Sequence, residues 1–241
     1  MGARKSKTIA EPEGRLSMAA ENYLLSIFRL KEQGVRVTLT QLAEFLKTLP
    51  IGEGVGTSLP SVGGMIRRMV RQGLVETLPN KDVVLTGQGQ RSADSIVRRH
   101  RLAERMVVDL LGLELQKSHI EAHLLEHAIS PELEAKIVAR LGHPTTCPFG
   151  HPIPGSGHVP HKGSKPLDEA TPGQDLVIDR IPEDDQALLE YFVENGLVPG
   201  QQVSVKDTAV SRGVITLISD GRDLVFSYEV GAKIWAYPRS S

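Results

Sequence analysis

The sequence is poor in cysteine and in aromatic residues, and it lacks long hydrophobic runs. Its 241 residues include one cysteine, which excludes an internal disulfide framework and a thiolate-rich zinc site. Aromatic side chains make up 4% of the chain, too few for a surface that stacks unpaired bases. No apolar run approaches the roughly 20 residues that span a bilayer, and the polar start over residues 1–8 is unlike a secretory signal. We therefore expect a cytoplasmic protein without a membrane partner.

The formal net charge of −1 conceals an asymmetry between the two halves of the chain. Residues 1–108 contain 17 lysines and arginines against 10 acidic residues, whereas residues 109–241 contain 11 against 19. A basic first half favours a polyanionic partner such as nucleic acid. Because such a skew is also common on an ordinary solvated surface, the sequence motifs have to decide between the two explanations.

The first half of the chain has the pattern of a winged helix-turn-helix. We expect a disordered basic tail over residues 1–16 and a DNA-binding domain over residues 17–88. The signals for the starts and ends of three helices are Ser17, Gly34, Thr40, Pro60 and Gly73. Two strand-like runs, 74–78 and 83–86, follow with a turn between them. Three helices and a hairpin are typical of this fold, which binds DNA or, alternatively, other proteins.

Residues 89–142 are predicted to form a helical domain. The signals are a long periodic run over about 90–111, a capping box at Ser118 and Glu121, and a cap at Ser130. The apolar runs 106–111 and 124–129 are wider than one amphipathic face requires. We therefore expect part of this surface to meet a second subunit, so that the protein forms a homodimer.

The remainder of the chain divides into a connecting segment and a small β-rich domain. Residues 143–171 are rich in proline, glycine and histidine without periodicity, which predicts a linker. We assign the four histidines of this segment to flexible surface, namely His143, His151, His158 and His161. Residues 172–241 contain five short strand-like runs, a hairpin signal at Asp220-Gly221 and one helix from about Asp184 to Glu194. These features predict a small β-barrel and, for the whole chain, an α+β fold class.

The richest group of metal-binding residue types lies in the predicted helical domain. At 100° per residue, four side chains of one helix share a face about 100° wide, namely His119, His123, Glu126 and His127. His100 and Glu104, spaced i and i+4, add a pair on the preceding helix. Imidazoles and carboxylates that converge in this way favour a divalent cation. The alternative, a set of surface or core histidines, explains one histidine better than it explains six grouped residues.

Two other functions are compatible with these residues. His123, Glu126 and His127 spell H-x-x-E-H, a metallopeptidase pattern in which the glutamate acts on zinc-bound water. Such an enzyme also needs an open coordination position and a substrate cleft, whereas this chain has additional ligands that would close the site. A protein that buffers or transports metal without binding DNA is the other alternative. We expect no enzymatic activity.

Several short motifs occur together in a fixed order. They are R-H-R-L-A-E-R at 99–105, the histidine-rich helical spacing that ends at His127, P-F-G-H-P-I-P-G at 148–155 and G-L-V-P-G at 196–200. Together they resemble the diphtheria toxin repressor family of iron- and manganese-dependent regulators over about residues 17–241, with a FeoA-like barrel at the end. The resemblance implies a homodimeric repressor of metal homeostasis genes that binds palindromic double-stranded operator DNA when Mn²⁺ or Fe²⁺ is bound.

The resemblance also implies two metal sites per subunit. The ancillary site would take His100, Glu104 and His119, together with Glu183 and Gln186 from the third domain. The primary site would take His123, Glu126 and His127, completed from the first helix by Asn22 or by its neighbour Glu21. Iron-type members place Cys and Met at positions 123 and 22, and manganese-type members place carboxylates there, so this chain follows neither pattern. Without sulfur the site is harder, which favours Mn²⁺ or Fe²⁺ over softer ions.

The resemblance places DNA contacts on the third predicted helix. Residues matched near the groove are Ser58, Pro60 and Ser61, and residues matched to phosphates are Arg68 and Arg71. The glycine-rich loop over 48–57 is longer than the tight turn of the family, and Gly63 and Gly64 fall early in the helix. Because each glycine costs a helix up to ~1 kcal/mol relative to alanine, we expect this helix to be loose without DNA.

Overall fold

Three packed units follow one another along residues 16–49 and 55–239, which are the residues that the computed structural model describes. The predicted tail, except for its last residue, and the middle of the predicted loop 48–57 lie outside these ranges. A winged helix-turn-helix, a helical unit and a β-rich unit succeed one another, which confirms the predicted α+β class. None of the helices in the described ranges has the length and hydropathy needed to cross a membrane.

The first unit contains three helices and a two-stranded sheet. Its elements are α1 (Met18–Glu32), α2 (Leu39–Leu46), α3 (Leu59–Arg71), β1 (Val75–Thr77) and β2 (Val83–Leu85). The hydroxyls of Ser17, Thr38 and Ser58 set the helix starts, because each accepts a hydrogen bond from the main-chain N–H three residues later. Thus α2 begins before Thr40, the residue that was predicted to precede it. The strands pair antiparallel and form the wing.

The helical unit begins inside the core of the winged unit. Its elements are α4 (Gly87–Arg105), a π-helical turn (Met106–Leu110), α5 (Leu115–Leu125) and α6 (Pro131–Arg140). Ala93, Ile96 and Val97 on the first half of α4 pack among the buried apolar side chains of α1, α2 and α3. The second half of α4 packs instead with α5 and α6 through Leu102 and Ala103. One helix therefore belongs to two cores, and the two units are joined through its middle.

The predicted capping box at Ser118 and Glu121 is wrong. Gly112 ends the preceding helical turn in the left-handed conformation (φ 72°), and α5 starts soon afterwards at Leu115. Ser118 consequently lies inside the helix, where its hydroxyl donates to the main-chain oxygen of Leu115 at 2.8 Å. The predicted cap at Ser130 is confirmed, since its hydroxyl accepts a hydrogen bond from Leu133 N at 3.2 Å.

The third unit is a six-stranded antiparallel sheet with the order β3-β8-β4-β5-β6-β7. Its strands are β3 (Lys165–Pro166), β4 (Asp175–Arg180), β5 (Gln202–Ala209), β6 (Val214–Ser219), β7 (Arg222–Ser227) and β8 (Trp235–Pro238), with helices α7 (Gln186–Glu194) and α8 (Tyr228–Gly231). Within the described part of the chain β3 and β7 do not pair, so the sheet curls around its core without closing. The predicted small β-barrel therefore takes the form of an open, barrel-like sheet.

The connecting segment 143–171 is packed and is not a flexible linker. Cys147 and Phe149 are fully buried in the core of the third unit, and β3 already begins the sheet at Lys165, upstream of the predicted boundary at 172. His151, assigned to flexible surface, lies 3.0 Å through Nε2 from the main-chain oxygen of Ile181 and is largely buried. The apolar residues of this segment are few, are separated by proline and glycine, and show no periodicity. Cys147 and Phe149 are nevertheless part of a hydrophobic core.

Gly89 provides a test of how α4 docks on the winged unit. A Cβ built on Gly89 would lie 1.8 Å from the carbonyl oxygen of Leu74, whereas one on Gly87 would meet only the far end of Arg91 at 3.8 Å. We expect Gly89→Ala to lower the free energy of unfolding by about 1–3 kcal/mol through overpacking. The matched variant Gly87→Ala should change it by less than about 0.5 kcal/mol. Equal thermal midpoints for the two variants would contradict this packing.

Candidate metal centre

Six histidine and glutamate side chains meet between α4 and the end of α5. α4 contributes His100 and Glu104, one turn apart on the same face, and α5 contributes His119 and His123. Glu126 and His127 follow at the point where α5 ends. All six are buried or nearly so. Buried charges are costly unless they are paired or bind a metal ion. The contacts of each nitrogen or oxygen that could donate a lone pair to a metal ion, called a donor atom below, therefore indicate its role.

His100 lies between two buried carboxylates. Its Nδ1 is 2.5 Å from Glu126 Oε2, and its Nε2 is 2.9 Å from Glu104 Oε1. Burial alone would lower the pKa of His100, but the two carboxylates outweigh burial and raise this pKa to about 10. Burial would likewise raise the pKa of Glu126, yet His100 holds it well below its usual range. The ring is therefore a cation that neutralises part of the acidic cluster.

Both ring nitrogens of His123 and one carboxylate oxygen of Glu126 have no hydrogen-bond partner among the described residues. Neither ring nitrogen of fully buried His123 makes a hydrogen bond to any described residue. Burial and the neighbouring histidines lower the pKa of His123 to about 4, so the ring is neutral and its lone pair is available. Glu126 Oε1 lies 3.3 Å from His127 Nε2 and 3.6 Å from His123 Nδ1, and among the residues described it accepts no hydrogen bond.

These unpaired atoms test whether a cation fits the cluster. A buried polar atom without a partner costs about 1–3 kcal/mol, so native proteins seldom retain several of them in one place unless they serve a ligand. Here an imidazole and a carboxylate oxygen are left unpaired side by side, together with Glu104 Oε2. Nitrogen and oxygen donors of this kind suit Mn²⁺, Fe²⁺ and related divalent ions. The residues present therefore fit a divalent metal.

The first helix meets this cluster through two adjacent residues. Glu21 Oε2 lies 2.7 Å from His127 Nδ1, and Asn22 Oδ1 lies 3.0 Å from His127 Nε2. Both predicted alternatives for the α1 contribution are thus brought to the same ring. Arg99 from α4 also binds Glu21 Oε1 at 2.6 Å and the main-chain oxygen of Glu126 at 3.0 Å. The winged unit and the helical unit are joined at this point by polar contacts.

The donors do not separate cleanly into the two predicted sites. One set whose ligand atoms lie within 4.8 Å of one another is His100, His119 and His123, and a second is His100, Glu104, His119 and Glu183. His100, predicted for the ancillary site, belongs to both sets. The second set contains four of the five residues predicted for the ancillary site, including Glu183 from the third unit.

The fifth, Gln186, is placed elsewhere. Its Nε2 donates to the main-chain oxygen of Gln116 at 3.1 Å and to Glu190 Oε1 at 2.8 Å. Gln186 is the first residue of α7, which Asp185 caps and which lies against α5. Its side-chain amide nitrogen is consequently used at the start of α5, and the pairing of Gln186 with Glu183 as ligands stays a prediction.

Arg29 is a buried residue beside the cluster that the sequence analysis did not single out. Its guanidinium, 4% exposed, lies 2.7 Å through Nη2 from Glu183 Oε1 and 2.6 Å from Asp184 Oδ1. Its Nη1 lies 3.2 Å from His119 Nε2. An arginine among the apolar positions of α1 is a weak signal of burial, and its partners in the third unit cannot be inferred from local pattern.

The residues predicted to contact DNA lie on the outside of the winged unit. Ser58 caps α3, and Pro60 and Ser61 form its exposed first turn. Arg68 and Arg71 are exposed in the last turns of the same helix. Val62, Ile66 and Met69 face the core. Arg67 is exposed as well, so α3 offers three cationic side chains to solvent.

Three family models match successive parts of the chain. Residues 15–83 match the N-terminal DNA-binding domain of iron-dependent repressors, and residues 86–155 match their metal-binding and dimerisation domain. Residues 165–238 match the FeoA domain. These ranges follow the three structural units in order.

Relatives of known name extend over most of the chain. It is 31% identical over 226 residues to the iron-dependent repressor IdeR of Mycobacterium leprae, across 87% of this chain and 93% of that protein. It is 33% identical over 218 residues to the diphtheria toxin repressor of Corynebacterium diphtheriae, across 85% and 90%. A solved manganese-dependent transcriptional repressor in complex with manganese has a TM-score of 0.79 at 32% identity, across 91% of this chain and 100% of the other. The chain belongs to the diphtheria toxin repressor family of metal-dependent repressors.

Proposed function

We propose that this chain is a homodimeric transcriptional repressor whose affinity for a palindromic operator rises when Mn²⁺ or Fe²⁺ binds between its first two units. The observation that carries the proposal is the pair of unsatisfied buried donors, His123 and Glu126 Oε1, beside the contact of α1 with His127. Asn22 or Glu21, His123, Glu126 and His127 would hold the ion. A divalent cation there supplies the positive charge and the coordination that these atoms lack.

The position of this site supports a role in setting the orientation of the winged unit. Glu21 and Asn22 belong to the helix that opens the winged unit, whereas Glu126 and His127 belong to the helical unit. Donors drawn together from both sides would fix one unit against the other. Two recognition helices of a dimer must lie about 34 Å apart to enter successive turns of the major groove. A change from 1% to 99% of that arrangement requires ~5.5 kcal/mol of differential metal affinity.

An apolar surface on the helical unit supports the homodimer. Leu111 is 71% exposed and Leu124 is 59% exposed, and Leu110 and Ile120 lie near them in sequence with large exposed fractions. Exposed apolar side chains grouped in this way are typical of subunit interfaces. An isologous dimer is two-fold symmetric, and its two winged units would therefore match a palindromic operator.

The exposed face of α3 supports DNA as the partner. Arg68 and Arg71 offer long cationic side chains to phosphates, and Ser58, Pro60 and Ser61 lie at the helix N-terminus, which favours negative charge. The metallopeptidase alternative is not favoured, because Glu126 is fully buried and its Oε2 is bound to His100. A metal-buffering protein would use the same donors but would make no use of the α3 arginines.

The primary site is tested with His123→Ala. Fluorescence anisotropy of the DNA upstream of the protein's own gene, against a scrambled duplex, measures the dissociation constant with chelator, Mn²⁺ or anaerobic Fe²⁺. We expect metal to tighten binding of the unaltered protein at least tenfold, about 1.4 kcal/mol. His123→Ala should retain its affinity in chelator and lose the tightening. His161→Ala, an exposed histidine of the third unit, is the control, and metal-dependent tightening retained in His123→Ala would refute the assignment.

The DNA surface is tested by neutralising α3. Each phosphate contact contributes about 0.9 to the slope of log affinity against log salt concentration. We expect Arg68→Ala with Arg71→Ala to reduce that slope by about 2 and to leave the metal content of the protein unchanged. Arg222→Ala, an exposed arginine on β7, serves as the matched control. An unchanged slope in the double variant would show that this face does not contact phosphates.

A further inference from the structure

We infer that the guanidinium of Arg29 takes the place of a second metal ion, so that each subunit binds one ion. The arginine would then prevent metal binding by the second set of donors, which consists of His100, Glu104, His119 and Glu183. The inference rests on the proposed metal-dependent function and deepens it. It departs from the two ions per subunit that the family resemblance implies. Its basis is the position of Arg29 among the second set of donors. Those donors come from α4, from α5 and from the third unit.

The guanidinium contacts two members of this set directly. Nη2 lies 2.7 Å from Glu183 Oε1, and Nη1 lies 3.2 Å from His119 Nε2. Asp184 Oδ1 adds a third contact at 2.6 Å. The aromatic ring of Phe45 lies on the guanidinium with its centroid 5.8 Å from Cζ. The side chain is thus enclosed by partners and is nearly inaccessible to solvent.

The hydrogen-bond chemistry of arginine decides the state of His119. A guanidinium can only donate, so Nε2 of His119 must be the acceptor in its contact with Arg29. The proton of a neutral ring is then on Nδ1, which donates to Glu104 Oε1 at 3.0 Å. A histidine binds metal through a ring lone pair, and the lone pair of His119 is directed at Arg29. His119 therefore cannot become a ligand while Arg29 remains in place.

Charge excludes the second ion for an independent reason. Arginine stays protonated in proteins, and it already offsets the carboxylates of Glu183 and Asp184. A divalent cation bound to Glu183 would lie beside this fixed positive charge at low dielectric, where like charges repel strongly. No described arginine makes a hydrogen bond to His123 or to Glu126 Oε1, since the nearby Arg99 is engaged by Glu21 and by the main-chain oxygen of Glu126.

Arg29 also joins the three units, as a bridging metal ion would. Arg29 belongs to α1 of the winged unit, His119 to α5 of the helical unit, and Glu183 to the third unit. Gln33, the residue that follows α1, donates to Asp184 Oδ2 at 2.7 Å and extends the same contact. The third unit is therefore attached to the other two without metal. The metal response is confined to the donors around His123.

The test is the number of ions bound per subunit. Metal-free protein is equilibrated with Mn²⁺ by dialysis, and metal and protein are measured by mass spectrometry and amino-acid analysis. We expect one ion for the unaltered chain, two for Arg29→Met, and one again for Arg29→Met with Glu183→Gln. Arg98→Met is the matched control, because Arg98 is also partly buried in an ion pair, with Glu134, and it should bind one ion.

The unaltered chain decides the inference even if Arg29→Met does not fold. Two ions per subunit of the unaltered protein would overturn it and leave the proposed function standing. No bound ion would refute the proposed function itself. If one ion binds and is lost in His119→Gln but kept in His123→Ala, the ion occupies the second set and the inference is wrong.

Attachment of the third unit provides a second readout. Small-angle scattering should give the same radius of gyration for the unaltered protein in chelator and in Mn²⁺. Arg29→Met should expand in chelator, because the carboxylates of Glu183 and Asp184 lose their cation, and Mn²⁺ should restore the compact value. A radius for the unaltered protein that falls when Mn²⁺ is added would contradict a metal-independent attachment.

Discussion

The imidazole of His100, bonded on both sides by buried carboxylates, is the contact on which the rest of the site depends. Glu104 on its own helix and Glu126 at the end of α5 share one positive charge, and neither would be stable in this interior without it. Because the ring joins α4 to the end of α5, it fixes where the remaining histidines of α5 lie. The ion pairs of His100 thus hold the cluster together, and the remaining histidines and carboxylates are arranged around them.

Those additional donors divide according to whether an arginine reaches them. At one end, Arg29 satisfies His119 and Glu183, and the donors there are engaged in holding the three units together. At the other end, Arg99 binds Glu21, and His123 and Glu126 Oε1 make no hydrogen bond to any described residue. One end of the cluster is thus closed by ion pairs, and the other end keeps buried atoms without a hydrogen-bond partner among the described residues.

Features that depend on neighbouring residues were predictable from the sequence. The caps at Ser17 and Ser130 bind N–H groups three residues away, so the local pattern predicts them. The predicted capping box at Ser118 has the same local pattern, but α5 begins three residues earlier, at Leu115, so Ser118 lies inside the helix. The packed segment 143–171 resembles a linker because its buried residues are single and irregularly spaced. Burial of that kind depends on what the neighbouring units present.

By itself the sequence determined the order of the units, the residue types on the metal-binding face and the family, since periodicity, spacing and short motifs are local properties. Only the tertiary structure decided that the sheet stays open, that Gln186 turns to α5 and that Arg29 contacts Glu183 and Asp184. The last of these requires a carboxylate pair far along the chain to meet the last turn of α1. No local pattern records such a contact, because its energy comes from charges that become neighbours only after the three units pack.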